Sequence, residues 1–251
     1  MAFSFTTLFA SSFLFLVAVP LPCVRATFPG PWKKAQATFY EGSSTSYGVG
    51  ACGYDDVARQ GYVDTAAVSS AMFNEGQKCG ACYEIRCVDS PQWCKPGQPV
   101  VEVTATNLCP PGSDGGWCNP PKEHFDLAKS SFTKIATDFK AGVVPVEYRR
   151  VPCKKTGGIK LKITGNPYYN AVSLWNVGGA GDVVGVQVKS GNSEWKEMKR
   201  EWGQKWVLHD KLVGGDLSFR VQTSDGQAVT SSSVCPRDWE FGQTYEAQNF
   251  V

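Results

Sequence analysis

In the last third of the chain, apolar and polar residues take turns. Ile159, Leu161 and Ile163 alternate with lysines; Val184, Val186 and Val188 alternate with small or polar residues; Leu217, Phe219 and Val221 alternate with Ser218, Arg220 and Gln222, ahead of an Asp225-Gly226 turn. A period of two is the pattern of a half-buried strand, and Asp-Gly between such runs marks a hairpin. Roughly ninety residues of this kind predict a β-sandwich whose strands each bury one face. One strand breaks the rule that polar residues point outward. In Tyr168 to Val177, Val172 and Leu174 suit the core, which turns Tyr169, Ser173 and Trp175 to the other side. Trp202 and Trp206 stand on a second, otherwise charged stretch on either side of Gly203. A flat row of such rings can lie against the apolar faces of pyranose sugars; the competing reading is that they fill the sandwich core.

The first half is patterned differently. Ala37 to Glu41 reads as a strand, followed by a Gly/Ser-rich loop to Gly50. Asp64 is placed to cap a short helix running to Phe73, and Tyr83 to Val88, Val100 to Thr106 and Val143 to Val151 are dense in β-formers. Short strands with brief helices and many glycine and proline breaks predict a small closed barrel and argue against a layered α/β fold. Gly157-Gly158 reads as a hinge before the alternating region. The stretch Gly115 to Asp126 packs a tryptophan, a cysteine, two prolines, a histidine and a carboxylate into a shaped loop. Leu127, Phe132, Ile135 and Ala136 follow at near-helical spacing, which puts Asp126 at a helix start. Asp126 is then an N-cap or a chemical group, and His124 either pairs with it for sugar binding or proton handling or satisfies a buried carbonyl.

Composition narrows the function. The apolar run Leu8 to Val19 is too short to span a bilayer and leads to Pro20, Pro22 and a small-residue site at Val24-Arg25-Ala26. Residues 1–26 read as a secretory signal, and the remainder as an exported soluble protein. Loss of Arg25 takes the formal charge from +2 to +1, a balance with no nucleic-acid footprint. The basic clusters Lys154, Lys155, Lys160, Lys162 and Lys196, Lys199, Arg200, Lys205 are a solvated face or a weak attraction for an acidic polysaccharide. Cysteines at 52, 79, 82, 87, 94, 109, 118 and 153 read as disulfides in an oxidising destination; after them comes only Cys235, a free or intermolecular thiol or a buried one. Cys79-Gly-Ala-Cys82 would suit redox chemistry or zinc, but the compartment and a total of two histidines argue against both. No metal or cofactor is expected.

Thr38-Phe39-Tyr40, Ala51-Cys52-Gly53-Tyr54, Cys79-Gly80-Ala81-Cys82, Gly116-Trp117-Cys118-Asn119-Pro120-Pro121, His124-Phe125-Asp126, Tyr148-Arg149-Arg150-Val151-Pro152-Cys153 and Asn176-Val177-Gly178-Gly179-Ala180-Gly181-Asp182 occur in that order. With them the chain resembles a plant alpha-expansin over nearly all of its mature length. The resemblance implies an all-β protein: a six-stranded double-psi β-barrel over 27–156, similar to one class of inverting endoglucanases, then an immunoglobulin-like β-sandwich over 157–251 that binds cellulose. It implies a monomer in the plant cell wall that disrupts noncovalent contacts between cellulose microfibrils and matrix glucans such as xyloglucan at acid pH; acidic pectin is a partner on the alternative reading of the basic clusters alone. The carried-over residues are Thr38, Tyr40 and Asp126 in a groove beside His124, and Tyr169 with Trp202 or Trp206 on a platform extended by Trp175. The implied disulfides are Cys52 to Cys79, Cys82 to Cys153, Cys87 to Cys94 and Cys109 to Cys118. Glu41, the loop 43–49, Trp175 and Cys235 depart from the family pattern.

Two other functions compete. An inverting glycoside hydrolase needs an acid and a base carboxylate ~6.5–9.5 Å apart. Asp126 fits the acid, but Gly42 stands where the related endoglucanases keep the base, and Glu41 should point away from the face that carries Tyr40. A barwin-type defence protein also uses a cysteine-rich barrel but leaves the aromatic second region unexplained.

Overall fold

The computed structural model describes residues 28–41, 50–112 and 114–250. The signal at 1–26, Gly42 and the loop 43–49 lie outside the described residues. Six strands, β1 (Lys33–Tyr40), β2 (Thr65–Ser69), β3 (Cys82–Cys87), β4 (Val100–Cys109), β5 (His124–Ala128) and β6 (Val144–Val151), close a barrel in the order β1-β5-β2-β4-β3-β6. β1 runs parallel to β5, and β2 to β4. Inside, the rings of Tyr83, Phe125 and Tyr148 meet with centroids 4.9 to 5.9 Å apart, among buried Ile85, Val103, Leu127, Val144 and Val146. Helix α1 (Ser70–Phe73) follows β2 directly, and α2 (Lys129–Ile135) follows β5 and packs Phe132 and Ile135 into the same core.

Both expected helix starts are strands. His124–Ala128 is paired on one side with β1 and on the other with β2, so Asp126 sits mid-strand and α2 begins after Ala128, which makes no side-chain cap. Thr65–Ser69 is buried on both faces, which erases the alternation that identifies a strand. Asp64 instead accepts from Ser131 Oγ (2.9 Å) and from Lys134 Nζ (2.7 Å), and so tethers α2.

The alternating region forms two packed sheets. One is β11 (Lys199–Trp202), β12 (Lys205–Leu208), β8 (Tyr169–Trp175), β7 (Ile159–Asn166) and β15 (Thr244–Ala247); the other is β10 (Lys196–Glu197), β9 (Val183–Ser190), β13 (Leu217–Thr223) and β14 (Ala228–Cys235). Ile159, Leu161, Ile163, Val172, Leu174, Val186, Val188, Leu217, Phe219 and Val221 fill the space between them. Val184 does not join them and is 44% exposed. The β9·β13 register shifts between Gln222 and Thr223, which pair with Gly185 and Val183, so Val184 is the extra residue of a bulge.

All four disulfides implied by the family resemblance are formed. Cys82–Cys153 encloses a separation of 71 residues, worth about 4 kcal/mol in lost unfolded-chain entropy. Cys235 is a free, buried thiol, and burial pushes its pKa up to about 12, so it is chemically quiet.

Barrel and sandwich meet around Asp182, whose side chain has no exposure. It accepts from Arg150 Nη2 (2.7 Å), Lys78 Nζ (3.1 Å) and Ser224 Oγ (2.7 Å), the first two from the barrel and the third from the sandwich. Gln204 adds two bonds to barrel carbonyls, from its backbone N–H to Cys52 O (2.9 Å) and from Nε2 to Cys79 O (2.6 Å). The Gly157-Gly158 hinge of the sequence reading is pinned. Asn176 Nδ2 donates to Thr156 O and Gly158 O, and Asn249 Nδ2 to Gly157 O, each at 2.9 Å. Removing one member of a buried ion cluster leaves the others uncompensated. Asp182→Ala should therefore cost about 3–5 kcal/mol in urea unfolding; a loss below about 1 kcal/mol would show that the junction does not rest on this carboxylate.

Candidate functional site

The parallel register of β1 and β5 sets Gln36 beside His124, Thr38 beside Asp126 and Tyr40 beside Ala128. Alternation sends Ala37, Phe125 and Leu127 into the barrel, and Thr38, Tyr40, His124 and Asp126 to its outer face. Thr38 Oγ1 donates to Asp126 Oδ1 (2.7 Å) and lies 2.8 Å from His124 Nε2. Its single hydrogen being committed to the carboxylate, the hydroxyl oxygen accepts from Nε2–H, which fixes the neutral tautomer of His124. The other ring nitrogen, Nδ1, is buried without a protein partner.

Burial controls the protonation of both groups. It raises the Asp126 pKa, an effect the Thr38 hydrogen bond partly offsets. It depresses the His124 pKa to about 4, with Lys122 adding a smaller repulsion. Asp126 therefore takes up a proton at milder acidity than an ordinary aspartate, while His124 stays neutral.

From this group a polar line continues across the barrel. Tyr40 Oη lies 3.3 Å from Thr65 Oγ1, Thr65 pairs with Thr104 across β2 and β4, and Thr104 Oγ1 accepts from Lys155 Nζ at 3.3 Å. The Lys155 ammonium sits 4.7 Å from the centre of the Tyr62 ring, and the Tyr62 hydroxyl accepts from Asn176 N–H, next to Trp175. At the other end Trp117, 44% exposed, stacks on His124 with centroids 6.2 Å apart and 18° between planes. Trp117 borders this cluster and was left unassigned by the sequence reading; a large ring in a Gly/Pro-rich loop beside the His-x-Asp strand was its signal. Thr65, Thr104 and Lys155 carried no such signal, since only the register brings them into line.

On the far side of the junction the five-stranded sheet turns Tyr169, Ser173 and Trp175 away from its own core; all three are half-buried, and Trp175 packs against the barrel. Trp202 is 42% exposed and pairs with Lys205, which pairs with Ser173. Tyr169 and Trp175 are six residues apart, roughly 20 Å along β8, and Trp202 lies two strands over, roughly 10 Å away. Tyr169 Oη donates to Glu201 (2.8 Å), Glu201 pairs with Lys205 (2.9 Å), and the Lys205 ammonium lies 4.7 Å from the Trp202 ring, which fixes both rings. Trp202 also rests on the barrel: a Cβ at Gly53 would come within 2.8 Å of its Nε1. Trp206 is not part of this face. It pairs with the core residue Val172, is 3% exposed and carries the Arg200 guanidinium 4.4 Å from its ring. The two tryptophans lie on different strands of a hairpin: Trp202 pairs with Lys205 and shares its face, so Trp206, the next residue along β12, points to the other side.

Glu41 is turned away from the groove. Its carboxylate pairs with Lys129 (2.6 Å), whose ammonium lies over Phe139 and Phe39 on the opposite side of β1.

Comparison with known proteins gives a consistent picture. A family model for the expansin C-terminal domain matches residues 159–236, and one described as lytic transglycolase matches residues 65–148. Expansin-A32 of Oryza sativa subsp. japonica is 55% identical over 230 residues, covering 88% of this chain and 85% of that relative. Expansin-A23 of Arabidopsis thaliana is 51% identical over 224 residues, covering 86% of this chain and 80% of that relative. The crystal structure of an expansin from Clavibacter michiganensis superposes with a TM-score of 0.67 at 20% identity, over 87% of this chain and 97% of that one. A mutant of that bacterial protein in complex with cellohexaose superposes with a TM-score of 0.66 at 19% identity.

Two outcomes test this geometry. Trp206→Ala should cost about 3–5 kcal/mol in denaturant unfolding, as for any large core ring, and Trp202→Ala less than about 1 kcal/mol; equal costs would put both rings in the core or both outside it. A histidine whose folded pKa lies below its unfolded value contributes stability that is present above the unfolded pKa and lost as pH falls through the folded one. Stability should therefore decline between about pH 6.5 and about 4, and His124→Gln should make that decline shallower; an unchanged slope would mean that the imidazole is not buried neutral.

Proposed function

The chain belongs to the expansin family, and from that membership we propose that it is a secreted plant cell-wall protein that loosens contacts between cellulose and matrix glucans without cutting them. Residues 27–156 and 157–251 act as its two units. Thr38, Tyr40 and Asp126 hold a glucan chain in the barrel groove, with Trp117 at one flank and His124 buried behind them as the group that orients Thr38, and Tyr169, Trp175 and Trp202 anchor the protein on cellulose.

The observation that carries this reading is that the carboxylate next along the groove strand faces away from Asp126. Inverting hydrolysis needs a second carboxylate ~6.5–9.5 Å from the acid to activate water. The carboxylate beside the groove strand, Glu41, is spent on Lys129 on the wrong side of β1. Asp126 alone can accept a hydrogen bond from a sugar hydroxyl when ionised or donate one when protonated, and each mode competes with a glucan–glucan hydrogen bond. Its raised pKa brings the donating form into reach as the wall acidifies.

The rings supply hold where the carboxylate supplies exchange. Stacking on a sugar face is tolerant of sliding, since every glucose unit offers the same apolar surface. An anchored sandwich would keep the groove at the microfibril surface, where matrix chains dock.

The test is creep of heat-killed wall strips under load. Asp126→Asn should lower creep at every pH and remove its rise toward acid, because an amide cannot titrate; Glu41→Gly should leave creep nearly unchanged, and neither variant nor the parent should release reducing sugar above background. Trp202→Ala with Tyr169→Ala should reduce retention on cellulose severalfold. Sugar release from the parent that Glu41→Gly removes would make the protein a hydrolase.

A further inference from the structure

We propose that a second cleft, at the closed end of the barrel beside α1, binds a carboxylate-bearing sugar residue of an acidic polysaccharide. This cleft has a volume of about 400 Å³, and Lys33, Lys78, Tyr83, Glu123, Tyr148 and Arg150 form its working wall. That volume is at the lower end for small-molecule sites, suited to one or two sugar rings. It contains none of Thr38, Tyr40, His124 or Asp126 and none of the platform rings. Glu123 alone connects it toward the groove, since it also borders a smaller cleft of about 330 Å³ under Trp117.

The charges define the ligand. Lys78 and Arg150 share a single buried carboxylate, Asp182, which leaves one positive charge over. Arg150 Nη1 is buried with no hydrogen-bond partner, while its Nη2 serves Asp182 and Ala180 O. Arg149, on the rim, is neutralised by Glu84 at 2.6 Å. Lys33 makes no ion pair among the described residues and stands at the mouth of the cleft. A neutral glucan would gain nothing from this surplus; a carboxylate would pair with it.

The rest of the wall suits a sugar better than a bare anion. The phenols of Tyr83 and Tyr148 are pushed upward by burial, so both remain O–H groups able to donate to or accept from ring hydroxyls. Glu123 makes a hydrogen bond with Tyr148 and offers acceptor oxygens to further hydroxyls; set against Lys33 and the surplus of the Lys78–Arg150–Asp182 group, it leaves a net single positive charge, which suits one carboxylate better than a multivalent anion such as phosphate. Asn74 adds an amide at the edge. Cations at one end and hydroxyl-reading groups at the other match a uronic acid.

The choice of a wall polysaccharide rests on the proposed function, and the experiment separates the two. The full mature chain is titrated calorimetrically with trigalacturonate, its methyl ester, inorganic phosphate and cellohexaose. Trigalacturonate should bind, and its methyl ester and phosphate should bind at least tenfold more weakly. Lys33→Glu should weaken trigalacturonate at least tenfold, Lys33→Arg should keep it within about twofold, and Ala71→Trp, which plugs the cleft from an exposed position on α1, should abolish it; cellohexaose binding should stay unchanged in all three. The proposal is overturned if the ester or phosphate binds as well as trigalacturonate, if trigalacturonate does not bind, or if Lys33→Glu and Ala71→Trp leave its affinity intact. Failure of the parent to bind cellohexaose would count against the wall-loosening reading and leave the trigalacturonate result to stand on its own.

Discussion

Asp182 is cut off from water and answers to two cations of the barrel, Lys78 and Arg150, while its own backbone belongs to the sandwich. A carboxylate in that position is costly to bury and is tolerated only where its partners are close and every lone pair is used. Ser224 adds a third bond to it, and Gln204 ties the two halves separately through the carbonyls of Cys52 and Cys79. Everything proposed for the surface follows from it, because groove and platform can act on one polysaccharide only if their separation is fixed. The clamped carbonyls of residues 156 to 158 remove the freedom that a Gly-Gly pair would otherwise give.

Within the groove the same economy appears on a smaller scale. One threonine hydroxyl sets two neighbours: by donating to Asp126 it favours the ionised carboxylate, and by accepting from His124 it decides which imidazole nitrogen is bare. Burial works against the first effect and keeps the second ring neutral. The result is a carboxylic acid that takes up its proton more readily than an ordinary aspartate, next to a histidine held neutral down to about pH 4.

The sandwich was legible in the sequence wherever one face of a strand met water, as in Ile159, Leu161 and Ile163, since alternation is the imprint of that asymmetry. It was illegible where the asymmetry vanished. Thr65–Ser69 is covered on both sides, and His124–Ala128 lies between two partners, so both passed for helix starts behind acidic residues. A bulge and a turn hid the rest: a single inserted residue put Val184 outside, and the hairpin between Trp202 and Lys205 put Trp206 on the face opposite to Trp202. Of the groove residues, Thr38, Tyr40, His124 and Asp126 stood in recognisable motifs, whereas Thr65, Thr104 and Lys155 share the face only through strand pairing, which no local pattern encodes.

The junction is also made of bare backbone. A Cβ at Gly80 would come within 2.6 Å of Gly181 O, and one at Gly203 within 2.4 Å of Cys52 O. Both glycines have positive φ, so any side chain there would be strained as well as crowded. At these points the seam cannot be retuned by exchanging side chains, since backbone meets backbone there. Barrel and sandwich are thus not interchangeable parts: a half borrowed from another relative would fit only if it brought the same glycines to the same places, so diversification among such proteins is steered to surfaces away from the seam and away from Trp202, which itself rests on Gly53.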